Sequence, residues 1–461
     1  MNKIYTTVWC ESRQQWVVTS ELASGSGRPK LAPKKSALAL LLGAMLLPSA
    51  PVTAVDYVDV TLTGEQTISS GDTATSTTIN GGSQYIYNGG SATETVINDG
   101  GMQDVYVGGL ATETTINNGG DQYILGGTAT DTSINSGGKQ EVINGGTTTA
   151  TTISGGSQNV YNRGTATDTT INGGSQSVFS GGSATATIIN SGGWQNVSSG
   201  GTATNTTINS GGNQYINGGT AIDTTINRGF QWVSHDSTAT GTTINGGWQD
   251  VSNRGTATDT IINSGEQYVH IGGTANETTI NGSGEQAIYG GTATDTTINS
   301  GGAQAIFNGG SATDTTINSG GGQYISVSGG GTATNTTING GEQRVSSGGT
   351  ATETTINSGG MQYVSSGGTA TETTINDGGQ QVVFNGGTAT DTTINRGSQS
   401  VFGTVTGGAI FNSGIQLISS GGIVTDITLH STGIQVVFDG GTATDTIINS
   451  RGIQSIFGGT A

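Results

Sequence analysis

Residues 201–217 read GTATNTTINSGGNQYIN, and the reading of this stretch decides the fold. TATNTTIN is dense in β-branched residues, the type that fits a pleated strand. Gly211-Gly212 then supplies the backbone freedom of a tight turn, and Gln214-Tyr215-Ile216 begins a second β-prone run. The same text recurs along the chain after residue 65. The glutamine stands at 66, 84, 103, 122, 140, 158, 176, 195, 214, 231, 249, 267, 286, 304, 323, 343, 362, 381, 399, 416, 435 and 454. These 22 copies are 17 to 20 residues apart, too short for two packed helices and unrelated to a heptad. We therefore expect an all-β protein, a right-handed parallel β-helix (β-solenoid) of about 22 coils. Adjacent coils pair in register at about 4.8 Å.

Alternation along the strands predicts which side chains face in. Asn205 occupies a position that varies from copy to copy and should face solvent, placing Thr204, Thr206 and Ile208 on the inner face. In the second run Tyr215 faces out, while Gln214 and Ile216 face in. The core is then thin. Isoleucine ladders are sealed by threonine and by glutamine amides, which can hydrogen-bond from coil to coil as in cross-β ladders. Such a core fits a chain with 83 glycines, only 4 prolines and 31% hydrophobic residues. No single coil is stable; stability accumulates between neighbours.

The ends differ from the middle. Residues 55–63, with Val58, Val60 and Leu62 alternating, are expected to form an N-terminal capping strand over the first coil. Residues 64–461 form the repeat solenoid, with irregular coils at 403–433 where Ile423-Val424-Thr425 replaces the usual Thr-Ala-Thr. The text stops just inside another coil, so we expect a fragment of a longer protein.

Charge divides sharply. From residue 55 onward there are 7 Lys/Arg against 29 Asp/Glu, a formal charge of −22. Nucleic-acid binding depends on basic residues displacing counterions, so it is excluded as a function. The variable outward position is acidic in fourteen coils; Asp259, Glu277, Asp295 and Asp314 are four in succession and should form an acidic column. Like charges one coil apart in water repel by about 1 kcal/mol per pair. A solvated acidic face explains the column without a bound cation, and the calcium-binding nonapeptide GGxGxDxUx is absent, so no metal or cofactor is expected.

Residues 1–54 read as an address. Arg28, Lys30, Lys34 and Lys35 precede a twelve-residue apolar run, 36–47, of signal-peptide length and too short to span a bilayer. Val52-Thr53-Ala54 then places small residues at a cleavage site, so cleavage is expected between Ala54 and Val55. Cys10 is the only cysteine and would leave with the signal.

Catalysis finds no purchase in the sequence. Almost every carboxylate belongs to the repeat, whereas a polysaccharide-cleaving β-helix needs a distinct carboxylate or arginine cluster. His235, His270 and His430 look like isolated surface histidines. Arg163, Arg228, Arg254, Arg396 and Arg451 recur near the turns, where they could offset the acidic column. The alternatives to a binding protein are such an enzyme, or an ice-binding solenoid using matched rows of threonines. The expected inward orientation of Thr204 and Thr206 counts against the latter.

Met1-Asn2-Lys3-Ile4-Tyr5, Trp9, Arg13, Trp16-Val17-Val18 and Ser20-Glu21-Leu22 resemble the extended signal-peptide region of large bacterial autotransporters. The repeat GGTATxTTINSGGxQxV resembles the passenger of the AIDA-type autotransporter adhesins, over essentially all of 64–461. That resemblance implies a Gram-negative source and a β-helical passenger secreted to the cell surface through an outer-membrane β-barrel. It implies attachment to host cells through a surface receptor or glycan, self-association between passengers on neighbouring cells, and biofilm formation. It also implies O-heptosylation by a cytoplasmic heptosyltransferase. The serines matching the repeat-turn positions are Ser198, Ser199, Ser210, Ser346, Ser347, Ser365 and Ser366.

Overall fold

The computed structural model describes residues 5–10, 15–20, 53–326 and 329–461. They fall into two units, Met1–Thr53 and Ala54–Ala461. In the first, Tyr5–Cys10 and Gln15–Ser20 form an antiparallel pair, with Trp9 opposite Trp16. The apolar run 36–47 lies outside the described residues.

The second unit is a parallel β-solenoid with three short strands per coil. In the coil quoted above these are Thr202–Thr204, Thr207–Ile208 and Asn213–Asn217. Each pairs in parallel with the same strand of the coils before and after, and Gln214 lies opposite Gln195 and Gln231. Between 225 and 289 the second and third strands run together, as in Thr225–Ser234.

Three apolar ladders fill the inside. Ile208 and Ile216 each belong to one, and the third is built from Ala203 and its equivalents; all three residues are buried. Fully burying an isoleucine stabilises by about 1.5–3 kcal/mol, and here that burial comes from the next coil. In the last coil Ile448 and Ile456 are 50% and 51% exposed, while Leu429 and Val437 one coil earlier are fully covered.

The glutamine ladder runs unbroken through every coil. Gln214 Nε2 donates to Gln195 Oε1 at 2.7 Å, and Gln214 Oε1 accepts from Gln231 Nε2 at 2.7 Å. The chain of amides extends in the same way from Gln66 to Gln454. The buried threonine of most coils joins it, as Thr206 Oγ1 donates to Gln195 Oε1 at 3.3 Å, whereas the buried hydroxyls of Thr77, Thr95 and Thr132 have no partner among the described residues. A second amide ladder was not anticipated: Asn209 Nδ2 donates to Asn190 Oδ1 at 2.8 Å, half-buried at the turn after the second strand.

One facing assignment is corrected. Ala203 points inward and Thr204 outward, the reverse of the expectation, while Thr206 and Ile208 are inward as expected. The cause is Asn205, whose φ of 54° puts it in the left-handed region. That residue turns the chain by one corner and resets the in-out alternation, so the parity read from Ile208 does not carry back across it. The equivalent residue has positive φ in every coil, from Asp59 at 54° to Asp445 at 54°. Asn and Asp tolerate that conformation better than most side chains, which explains much of the column's composition.

The turn glycines divide the work between them. Gly211 has φ of 76°, and a Cβ on Gly212 would come within 2.5 Å of the Ile189 carbonyl oxygen in the coil below. The first glycine supplies the turn and the second permits close stacking.

Residues 55–63, expected as a separate cap, instead form the first two strands of an ordinary coil. Asp56–Val58 pairs with Thr73–Thr75, and Thr61–Leu62 pairs with Thr78–Ile79. Tyr57 takes the inward place of the alanine, Leu62 that of the isoleucine, and Val58 is exposed. Asp59 is again the corner that shifts the alternation. The irregular stretch keeps the same cross-section, with Val405 and Val424 in the alanine ladder and Leu429 in the isoleucine ladder.

Candidate functional site: the outward columns

The outer surface of a solenoid is a set of columns, each one position of the repeat multiplied by the coils. The first strand presents two hydroxyl columns, of Thr202 and Thr204 type, flanking the inward alanine. Neighbours in these columns touch: Thr128 and Thr147 Oγ1 are 3.2 Å apart, and Thr238 Oγ1 donates to Thr220 Oγ1 at 3.4 Å. The outward threonine pair is thus Thr202 with Thr204, not Thr204 with Thr206.

The acidic column occupies the left-handed corner. Asp259, Glu277, Asp295 and Asp314 follow one another there with φ between 54° and 56°, all exposed. The Glu277 carboxyl is held above its usual range, first by a hydrogen bond with Asp259 and then by the charges of Asp259 and Asp295. Among the described residues no three His, Cys, Asp or Glu side chains come together as a metal cluster.

Arginine at the turns has a different partner from the one expected. Arg254 forms a bidentate pair with Asp236 of the preceding turn, at 2.7 and 2.6 Å, and does not reach the acidic column. Arg163, Arg228, Arg254, Arg396 and Arg451 all have positive φ and stand where other coils use a turn glycine.

The third strand carries most of the aromatic side chains, at the positions one and three residues after the glutamine. Rings stack from coil to coil, as Tyr87 on Tyr106 with centroids 4.7 Å apart and Tyr161 on Phe179 at 4.8 Å. Their periodic placement after glutamine is the signal that could have found them. Burial pushes the Tyr106 hydroxyl up to about 12. Nearby, Lys139 and Glu141 pair at 2.5 Å. Burial opposes ionisation of Glu141, yet hydrogen bonds from Lys139, Asn159 and Tyr161 hold its pKa below the usual value.

The histidines are not equivalent. His235 is exposed and contacts Ser234, and His430 stacks on Phe411 at 4.7 Å. His270, expected to be isolated, pairs with Asp250 at 3.2 Å and lies among tyrosines. Of the turn serines, Ser199, Ser210, Ser347 and Ser366 are exposed, and Ser198, Ser346 and Ser365 are half-buried. Ala54 and Val55 lie in exposed, irregular chain at the start of the second unit.

A solenoid whose outer face repeats with every coil, behind an export signal, defines a stalk-like surface passenger. Comparison with known proteins makes this specific. Residues 1–50 match the extended signal peptide of the type V secretion system. Residues 171–212, 280–341 and 329–379 match the family described as adhesin of bacterial autotransporter system, probable stalk. Autotransporter CRAC of Citrobacter rodentium (strain ICC168) is 54% identical over 92 residues, covering 19% of this chain and 6% of that protein. Autotransporter adhesin/invasin TibA of Escherichia coli O78:H11 is 46% identical over 92 residues, covering 19% of this chain and 9% of that one. The aligned stretch therefore spans less than a tenth of either relative. A crystal structure of the TibC-catalysed, hyper-glycosylated TibA fragment aligns at 34% identity over 87% of this chain and 99% of that one, with a TM-score of 0.28. The repeats over these stretches thus match the stalk family of the autotransporter adhesins, and the chain is exported to the cell surface.

Proposed function

We propose that this chain is an adhesive passenger mediating attachment to host cells, bacterial autoaggregation and biofilm formation through its repeated outer face. The observation that carries this is the in-register repetition of the outward hydroxyl columns, Thr202 and Thr204 with their equivalents, over the stacked coils. Contacts that are weak singly gain strength when many engage together, provided their spacing matches. Two copies lying side by side present columns of identical pitch, so hydroxyl and amide contacts can form at each coil. The reading is non-catalytic: the corner carboxylates are equivalent members of one column, and none stands apart with an acid–base partner. Cleavage between Ala54 and Val55 would free the solenoid from its signal, and the exposed Ser199, Ser210, Ser347 and Ser366 are accessible to a cytoplasmic heptosyltransferase.

The test is surface display in a non-aggregating bacterium. Faster settling of suspended cells and greater retention on epithelial monolayers are expected. Unchanged settling with no gain in epithelial binding would overturn the proposal, as would turnover of a polysaccharide abolished by one carboxylate substitution.

A further inference from the structure

One outward column departs from simple repetition. The position after the glutamine runs Tyr215, Trp232, Asp250, Tyr268 through four successive coils. Tyr215 and Trp232 stack with centroids 4.6 Å apart and planes 9° from parallel, at the pitch of the coils themselves. Asp250 interrupts the stack where the next ring would lie. Trp232 and Tyr268 are consequently two coils apart, about 9.6 Å at the usual strand spacing. Stacked carbon atoms need about 3.5–4.0 Å on each side, so the gap has the width of a single inserted ring.

The neighbouring columns complete a groove of about 610 Å³. On one side Phe230 meets Trp248 edge to face at 5.2 Å; on the other His270 stacks on Tyr289 at 5.6 Å. Asp250 lies in this groove with Trp232 and Tyr268. One of its carboxylate oxygens pairs with His270 Nε2 at 3.2 Å, and the other has no partner among the described residues. Adjoining hollows share Asn213 and Trp232 on one side and His270 with Tyr289 on the other, adding Asn196, Asn217, Asn253 and Asn308. The trough thus crosses seven coils. Outside the signal region the chain has three tryptophans, Trp194, Trp232 and Trp248, and all three line it.

This chemistry selects a class of ligand. Aromatic faces receive the C–H face of a pyranose, a free carboxylate oxygen accepts from its hydroxyls, and rim amides both donate and accept. Glu266 and Glu285 lie next to the groove in the column of Trp248, within a solenoid of charge −22, and this disfavours anionic sugars. Arg228, at one end, is the cation lining the groove. We propose that this trough binds a neutral oligosaccharide, with one pyranose ring inserted between Trp232 and Tyr268 and its hydroxyls on Asp250. The proposal deepens the adhesive reading above, on which it rests, by naming a recognition site and its ligand class.

Because the tryptophans downstream of the signal all lie in the trough, intrinsic fluorescence of the exported chain reports on it directly. Titration with neutral hexose and N-acetylhexosamine oligosaccharides should produce a saturable emission change with at least one of them. Trp232→Ala and Asp250→Asn should each weaken that binding at least tenfold. Phe402→Ala, in the uninterrupted Phe384–Phe402 stack, should leave it unchanged. Circular dichroism verifies that every variant keeps its fold. Absence of any response to neutral glycans, or binding that survives both trough substitutions, overturns the proposal. A saturable response to choline instead, lost in the same variants, assigns the slot to a quaternary ammonium group and equally overturns it. The two readings separate in displayed cells. Variants that still settle but no longer bind glycan keep both proposals; wild-type glycan binding without settling or epithelial attachment refutes only the adhesive one.

Discussion

Replacing Gln214 with leucine tests the buried amide ladder, the interaction that lets so polar a chain form a core. Gln214 has no exposed surface. Its loss leaves Gln231 Nε2 without its acceptor at 2.7 Å and the Thr224 hydroxyl without its acceptor at 3.4 Å, while Gln195 Oε1 keeps its bond from Thr206. A buried polar group stripped of its partner costs about 1–3 kcal/mol. Two such groups give roughly 2–5 kcal/mol, after allowing for some relaxation of the weaker threonine bond. In a repeat protein this falls on one coil and its neighbours and does not spread evenly over the chain. Hydrogen–deuterium exchange by mass spectrometry, followed on peptides spanning 195–231, is therefore the suitable assay. At about 1.4 kcal/mol per tenfold, protection should drop by roughly 30-fold to a few thousand-fold there and stay unchanged near residue 350. Wild-type exchange in the variant would refute the reasoning. So would an equal loss of protection from Thr204→Val, which removes only an outward hydroxyl.

Three further outcomes follow from the same geometry. Ala203→Leu overpacks the inward ladder and should cost about 1–3 kcal/mol, whereas Thr204→Leu should stay within about 0.5 kcal/mol; the reverse order in denaturant melts would restore the facing first read from the sequence. At the corner, Asp295→Val forces a β-branched residue into φ of 55° and should destabilise by about 1–2 kcal/mol, while Asp295→Asn should be nearly neutral. Glu277 has a folded-state pKa raised by Asp259 and Asp295. Its contribution is favourable below the unfolded pKa and is lost as pH rises through the folded value. Glu277→Gln should accordingly raise the melting temperature at pH 7 and low salt. The gain should vanish near about pH 3, where carboxylates are protonated, and shrink in molar salt; a gain that persists at low pH contradicts the column repulsion.

The sequence made the period, the parallel in-register stacking and the inward Gln214 and Ile216 legible because each is a one-dimensional pattern. It hid Ala203 because alternation assumes an extended chain, and Asn205 is a left-handed corner that breaks that assumption. The same corner explains why Val58 was expected to cover a coil and is instead exposed. Acidic residues at this position looked like a solvent-facing strand site, when the backbone conformation was the stronger constraint. The aromatic trough was harder still. Trp232, Asp250 and Tyr268 are 18 residues apart in sequence, unremarkable as text, and acquire meaning once stacking turns a substitution into a gap one coil wide.

The most direct test of the central claim, that each repeat is one coil at constant pitch, is a distance across many coils. Downstream of the signal the chain has no cysteine, so Asp131→Cys and Asp314→Cys allow specific nitroxide labelling at two exposed corners. Ten coil steps separate them, which predicts a narrow distance distribution centred at about 48 Å by double electron–electron resonance. A broad distribution, or a mean that fails to grow by about 4.8 Å for each added repeat between the labels, would contradict the stacked solenoid.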